Sequence, residues 1–157
     1  MQQTNRKYLV CVDGREECRV ALRLACMKAA KRGGTVALLH VVPPADFQTL
    51  GAIADRMREE RLEDGNELLA KLRTEAENNF GVTPELILLE GSAGDKIVEA
   101  AMSNPDVIML ALGVAQQQHN SRGKLTSWLV GQLGGALLVP ILLVPNNLTD
   151  QQLATLI

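Results

Sequence analysis

The hydrophobic positions of the chain fall into short runs that are separated by longer segments of mixed polarity. Each run is continuously apolar rather than alternating, which is typical of strands buried on both faces of a parallel sheet. The pattern therefore predicts five strands, at YLVCV (8–12), TVALLHVV (35–42), ELILLE (85–90), DVIMLAL (106–112) and PILLVP (140–145).

The segments between the first three runs have helical spacing. A first helix is predicted over residues 16–32, because its apolar residues recur at intervals of three and four and two glycines follow it. The charged segment 52–79 is predicted as a long exposed helix. Gly65 lies inside this segment and is a possible kink, since glycine costs about 1 kcal/mol relative to alanine in a helix.

Two more helices and a tail complete the predicted order. SAGD (92–95) resembles a capping box, in which Ser92 accepts from the backbone and Asp95 replaces the usual glutamate. The last helix is expected to begin near Thr126 and to end around Gly134 and Gly135. The tail NNLTDQQLATLI (146–157) either frays or forms a short docking helix.

Strands that alternate with helices favour right-handed crossovers and a parallel sheet. The predicted fold is α/β: an open, Rossmann-like, five-stranded parallel sheet of order 3-2-1-4-5 with helices on both faces, formed by one domain over residues 1–157. Ligands bind such sheets at the carboxyl ends of the strands, where the strand order reverses. This rule selects Asp13 after the first strand and Gly113 after the fourth.

Composition narrows the classes of partner. The chain is 46% hydrophobic and 22% charged, with a net charge of −2, so it has no excess of basic residues for nucleic acid. No apolar stretch approaches the length of a membrane span, and the start of the chain lacks a signal-peptide pattern. The three cysteines lack metal-ligand spacing. We therefore expect a cytoplasmic protein with buried thiols and no metal, nucleic-acid or membrane site.

The polar segment LGVAQQQHNSRGKLTSWL (112–129) lies where many α/β proteins hold a phosphate. It fails as a Walker A loop, because Gln118 replaces the first glycine and Leu125 replaces the hydroxyl residue. DGREEC (13–18) has a single glycine and is no dinucleotide fingerprint. An anion site of another shape, formed by Ser121, Arg122, Gly123 and Lys124, is the alternative to ordinary solvated charges at Arg122 and Lys124.

Over nearly its whole length the chain resembles the universal stress protein family. The resemblance rests on YLVCVDGREECRVALRLA (8–25), VALLHVV (36–42), ELILLEGSAGDKIVEAA (85–101), DVIMLALG (106–113) and PILLVP (140–145), in that order. ATP-binding members carry G-x-x-G-x9-G-[ST] after the fourth strand. Gly113 matches the first glycine and Ser127 the hydroxyl, whereas Gln116 and Thr126 replace the other two glycines.

The resemblance also implies a nucleoside half of the site. Asp13 matches an acidic residue that ends the first strand, and Val41 matches an apolar residue on the adenine side. Asp13 equally fits a role in capping its turn and the first helix. We interpret His40, His119 and Trp128 as structural or exposed residues, and no catalytic group is assigned.

The resemblance implies a non-catalytic protein of stress adaptation without a resident cofactor. It also implies a homodimer through the last strand, with Ile141, Leu142, Leu143 and Val144 at its centre. A tail that covers this edge within one chain is the alternative to the dimer. The first alternative function is an ATP- or AMP-binding sensor of the same family, and the second is an enzyme acting on a nucleotide.

Overall fold

The structure is a computed structural model that describes residues 5–44, 51–115 and 121–157. Strands and helices alternate along these residues, as the apolar runs predict. The strands are β1 (Lys7–Cys11), β2 (Thr35–Val42), β3 (Glu85–Glu90), β4 (Val107–Val114) and β5 (Ile141–Pro145). The helices are α1 (Glu16–Arg32), α2 (Ala52–Phe80), α3 (Ala93–Ser103), α4 (Ser121–Gly131) and α5 (Asp150–Ala154).

The strands form one sheet in the order β3-β2-β1-β4-β5. Every pair of neighbouring strands is parallel. The predicted fold class and strand order are therefore confirmed. The strand order reverses beside β1, so the carboxyl ends of β1 and β4 border the same crevice.

Helices cover both faces of the sheet, because successive strand residues point to opposite sides. In β2, Val36 and Leu38 belong to the core shared with α1 and α2, whereas Ala37 and Leu39 belong to the core shared with α3 and α4. All four side chains are almost fully buried. This two-sided burial explains why the strand sequences are continuously apolar.

Two expectations about helices are wrong. The helix α4 begins at Ser121, five residues before the predicted Thr126, and ends at Gly131. The prediction treated Gly123 as a loop residue, but burial of Leu129 against the sheet outweighs the cost of about 1 kcal/mol for one glycine in a helix. Ser92 is the N-cap of α3, but its side chain makes no capping hydrogen bond.

The helix α2 passes through Gly65 without interruption. Gly65 is buried, and a Cβ atom there would lie 2.8 Å from Leu88 Cδ1 and 3.1 Å from His40 Cδ2. The glycine therefore lets α2 pack closely on β2 and β3.

The tail forms the short helix α5, which packs against α1. Thr149 caps it through a reciprocal capping box with Gln152, and Leu153 is fully buried. An ion pair of 3.4 Å joins Arg23 Nη1 of α1 to Asp150. Within the described chain β5 pairs with β4 alone, so the outer edge of β5 carries no strand.

Candidate functional site

A small cleft lies at the carboxyl ends of β1 and β2, which we call the carboxyl-edge cleft. Its volume is about 60 Å³, and it is lined by Cys11, Val12, Asp13, Leu39, His40, Val41, Ala93, Ile97 and Leu125. The cleft brings together Asp13 and Val41, two of the residues that the sequence selected. Typical ligand pockets measure roughly 300–1,000 Å³. A nucleoside would therefore require one of the walls of this cleft to move outward.

The turn that carries Asp13 is held by its own side chain. The amide N–H of Arg15 donates to Asp13 Oδ1 at 3.1 Å, and Arg15 Nε lies 3.7 Å from Asp13 Oδ2. Gly14 between them has φ of +84°, a left-handed conformation that favours glycine. Asp13 thus stabilises the entry into α1 and also borders the cleft, whereas its contact with a ligand stays a prediction.

Gly113 lies in β4 against the first turn of α1. A Cβ atom at Gly113 would lie 1.9 Å from the carbonyl oxygen of Glu17 and 3.0 Å from the amide nitrogen of Cys18. Both contacts are with backbone, so no change of rotamer could relieve them. The structure therefore gives Gly113 a packing role that holds whether or not a phosphate binds nearby.

Two residues of the predicted phosphate half, Thr126 and Ser127, do not lie at a helix start. Thr126 and Ser127 lie inside α4, more than one turn after Ser121. The N-terminal attraction of a helix for anions falls off within its first turn. The Thr126 hydroxyl is buried without a hydrogen-bond partner among the described residues, and Ser127 is exposed. Gln116 lies outside the described residues.

Trp128 joins α4 to the beginning of α3. A Cβ atom at Gly94 would lie 2.6 Å from Trp128 Cζ3, so the ring rests directly on the Gly94 backbone. Neighbouring residues of the same two helices, Ala93 and Leu125, line the carboxyl-edge cleft. The Trp128 contact therefore fixes the distance between two walls of the cleft.

His40 has a structural contact, in agreement with its interpretation as a structural residue, but the sequence did not identify its partner. Its Nδ1 lies 2.7 Å from the carbonyl oxygen of Val12, directly before Asp13. The polar residue in the otherwise apolar run TVALLHVV was the available signal, but the partner in β1 could not be inferred from it.

Two other clefts are larger but lie away from the carboxyl ends of β1 and β4. One of about 180 Å³ separates α1 from α2, where Arg19 and Glu75 form a double hydrogen bond that raises the pKa of Arg19. Another of about 310 Å³ lies beside the amino end of β1, where Lys7 pairs with Glu85 at 2.6 Å. In both clefts the cations already have carboxylate partners.

The described residues hold no metal-ligand cluster, and their cysteines are buried. In residues 5–44, 51–115 and 121–157 no cluster of three histidine, cysteine or acidic residues could hold a metal ion. Cys11, Cys18 and Cys26 are buried thiols, and burial raises the pKa of Cys26 to about 12. Among the described helices, none has the length and apolar character needed to cross a membrane.

Comparison with protein families identifies one match. The model described as the universal stress protein family matches residues 4–136, which confirms the resemblance seen in the sequence. A comparison with curated proteins finds no match.

Solved structures of this family share the fold. The universal stress protein UspA from Lactobacillus plantarum has a TM-score of 0.74 at 15% identity, with 88% of this chain and 97% of that chain covered. The universal stress protein from Archaeoglobus fulgidus in complex with dAMP has a TM-score of 0.67 at 19% identity, covering 90% and 99%. A family protein from Arabidopsis thaliana with AMP bound has a TM-score of 0.64 at 18% identity, covering 90% and 92%.

Proposed function

Because the chain belongs to the universal stress protein family, we propose that it is a non-catalytic cytoplasmic protein of stress adaptation. In this proposal it acts as a homodimer whose carboxyl-edge cleft accepts a nucleoside monophosphate such as AMP. The observation that carries the ligand proposal is the meeting of Asp13 and Val41 in one cleft at the carboxyl ends of β1 and β2, next to the point where the strand order reverses.

The preference for a monophosphate follows from the unequal halves of the site. Asp13 and Val41 offer a hydrogen-bond acceptor and an apolar wall to a nucleoside. A triphosphate needs additional backbone N–H groups at a glycine-rich loop or a helix start. Thr126 and Ser127 lie within α4 and cannot supply that start. The complexes with dAMP and AMP in two proteins of similar fold support the same ligand class.

Calorimetric titration of the full chain with AMP and with MgATP tests the ligand proposal. We expect AMP to bind at least as tightly as MgATP, and MgATP to bind more weakly than the low micromolar range. A low micromolar dissociation constant for MgATP, tighter than that for AMP, would contradict the proposal.

Variants of Asp13 separate its hydrogen bond with the Arg15 amide from the effect of its negative charge. Asp13→Asn retains an oxygen that accepts from the Arg15 amide but removes the charge, whereas Asp13→Ala removes both. We expect Asp13→Ala to weaken AMP binding more than Asp13→Asn does. Unchanged AMP affinity in Asp13→Ala would remove this residue from the site.

The non-catalytic part of the proposal has a separate test. ATP turnover by the purified chain is expected to stay near the uncatalysed background. Turnover of about 1 per second or more, abolished by Asp13→Ala, would show an enzyme instead.

The dimer proposal rests on the outer edge of β5. An edge strand presents unpaired N–H and C=O groups that invite pairing with another chain. Leu143 on this strand is 40% exposed, and Leu138 in the segment before it is 67% exposed. Leu133 is also exposed. A two-fold axis would make such a contact self-complementary.

A further inference from the structure

We propose that His40 is a positioning residue, which holds the Val12–Asp13 peptide at the mouth of the carboxyl-edge cleft. The contact itself is between His40 Nδ1 and the Val12 carbonyl oxygen, at 2.7 Å. The consequence for ligand binding rests on the function proposed above.

The direction of this hydrogen bond follows from its chemistry. A carbonyl oxygen only accepts, so Nδ1 of His40 carries the proton and donates. Nδ1 is protonated in that neutral tautomer and in the cationic ring, so both can form this bond. The role proposed for His40 is therefore that of a fixed donor rather than a base.

The hydrogen bond between His40 and Val12 lies where the backbone pairing of β1 ends. Cys11 is the last residue of β1, and the amide of Val12 still donates to Leu39 O at 2.9 Å. A trans peptide is planar with its C=O and N–H pointing in opposite directions. Holding the Val12 carbonyl therefore also orients the N–H of Asp13, and with it the start of the turn.

The ring of His40 is held on its other side by α2. A Cβ atom at Gly65 would lie 3.1 Å from His40 Cδ2, so the helix packs directly on the imidazole. Alanine at Gly65 would favour the helix by about 1 kcal/mol but would crowd this ring. His40 thus lies between a helix backbone and the Val12 carbonyl, with little freedom to turn.

His40 is among the residues that line the cleft, but its ring lies on the opposite face of β2 from the side chains of Leu39 and Val41. Leu39 and Val41 point towards α3 and α4, where the cleft lies. His40 has the opposite orientation in the strand and contacts α2. The residue therefore acts on the cleft through the Val12–Asp13 peptide.

Three substitutions in the full chain test the proposal. His40→Asn keeps a donor at the position of Nδ1, His40→Gln moves it one atom outward, and His40→Leu removes it. Thr74→Val is the matched control, because the Thr74 hydroxyl also donates to a backbone carbonyl, that of Ala70 at 3.1 Å, but on the exposed surface of α2. Urea denaturation identifies the variants that fold.

Two readouts are needed, one without ligand and one with AMP. NMR shifts of the Val12 carbonyl carbon and the Asp13 amide report the peptide directly, and calorimetry gives the AMP dissociation constant. We expect His40→Leu to move both shifts and to weaken AMP binding about tenfold, as losing one hydrogen bond can do. His40→Asn should restore the shifts and most of the affinity, and Thr74→Val should change neither.

The outcomes distinguish this proposal from the proposed function. If the wild-type chain does not bind AMP, the ligand proposal fails and the NMR shifts alone decide the role of His40. Equal shifts in His40→Asn and His40→Leu would then overturn the positioning role. If AMP binds, wild-type affinity in folded His40→Leu would overturn it as well. Should His40→Leu not fold, the same comparisons apply to His40→Gln.

Discussion

At the scale of single residues, substitution of Gly113 is expected to cause a large loss of stability. We expect Gly113→Ala to lower the free energy of unfolding by about 3 kcal/mol or more, because the new Cβ atom would overlap the Glu17 carbonyl. Urea denaturation without nucleotide measures this change. Gly131→Ala is the control, since nothing lies within 4 Å of a Cβ atom there. If the two variants were equally stable, the close approach of β4 and α1 would be disproved.

The Cys26 thiol makes the free energy of unfolding depend on pH in the alkaline range. Burial raises its pKa to about 12, whereas an unfolded cysteine titrates near 8.5. Between these two pKa values the folded state binds more protons than the unfolded state. The contribution of Cys26 to the free energy of unfolding is therefore fully present below the lower pKa and is lost as the pH rises towards the higher one. We expect this group to contribute a fall of about 1 kcal/mol per pH unit between pH 9 and 11. Parallel unfolding curves for wild type and Cys26→Ala would contradict this expectation.

Sequence reasoning found Gly113 and Asp13 but not what holds them. Both follow predicted strands, and the sheet rule places such ends together. The contact of Gly113 with Glu17 depends on how closely α1 crosses β4, and that distance is set by tertiary packing. The bond from His40 to Val12 joins two strands in the same way. Local patterns therefore identify the candidate residues, whereas their partners require the folded chain.

At the scale of elements, the strands were predictable because burial on both faces leaves continuous apolar runs. The helix α4 was not, since its first turn contains Ser121 and Gly123, which have lower helix propensity. Its stability comes from packing of residues such as Leu129. Helical stability in proteins comes mostly from such packing rather than from propensity. Because α4 begins before Thr126, Thr126 and Ser127 lie inside the helix rather than at its start. This difference changes the interpretation of the phosphate half of the site.

The helix α5 provides a prediction at the same scale. Leu153 is fully buried in the core shared with α1, whereas Leu156 is 52% exposed. We expect Leu153→Ala to lower the free energy of unfolding by about 2–5 kcal/mol, because it leaves a cavity. Leu156→Ala should have a small effect in the same urea experiment. Equal losses would mean that α5 does not dock as described.

At the scale of the whole molecule, the outer edge of β5 predicts the oligomeric state. We expect light scattering to find a dimer of the full chain at micromolar concentration. Leu143→Lys should dissociate it, since a charge buried at the centre of the contact would be unpaired. Ile53→Lys adds the same charge at an apolar residue that is 67% exposed in the first turn of α2, and should leave the dimer intact.

A shortened chain separates the dimer from the alternative of a covering tail. Ending the chain at Asn147 removes α5, which packs on α1 and does not pair with β5. A dimer that persists in the folded shortened chain would support pairing through β5. A full chain that is monomeric and becomes dimeric on shortening would show that the tail covers the edge.

The contact between Trp128 and Gly94 has an optical consequence. The chain contains one tryptophan, so its fluorescence comes from a single indole that rests on the backbone at the start of α3. If α4 moves outward to admit a nucleoside, the indole loses that backbone contact and meets more water. Its emission maximum should then shift to longer wavelength, which would let an unlabelled sample report the opening of the cleft in real time.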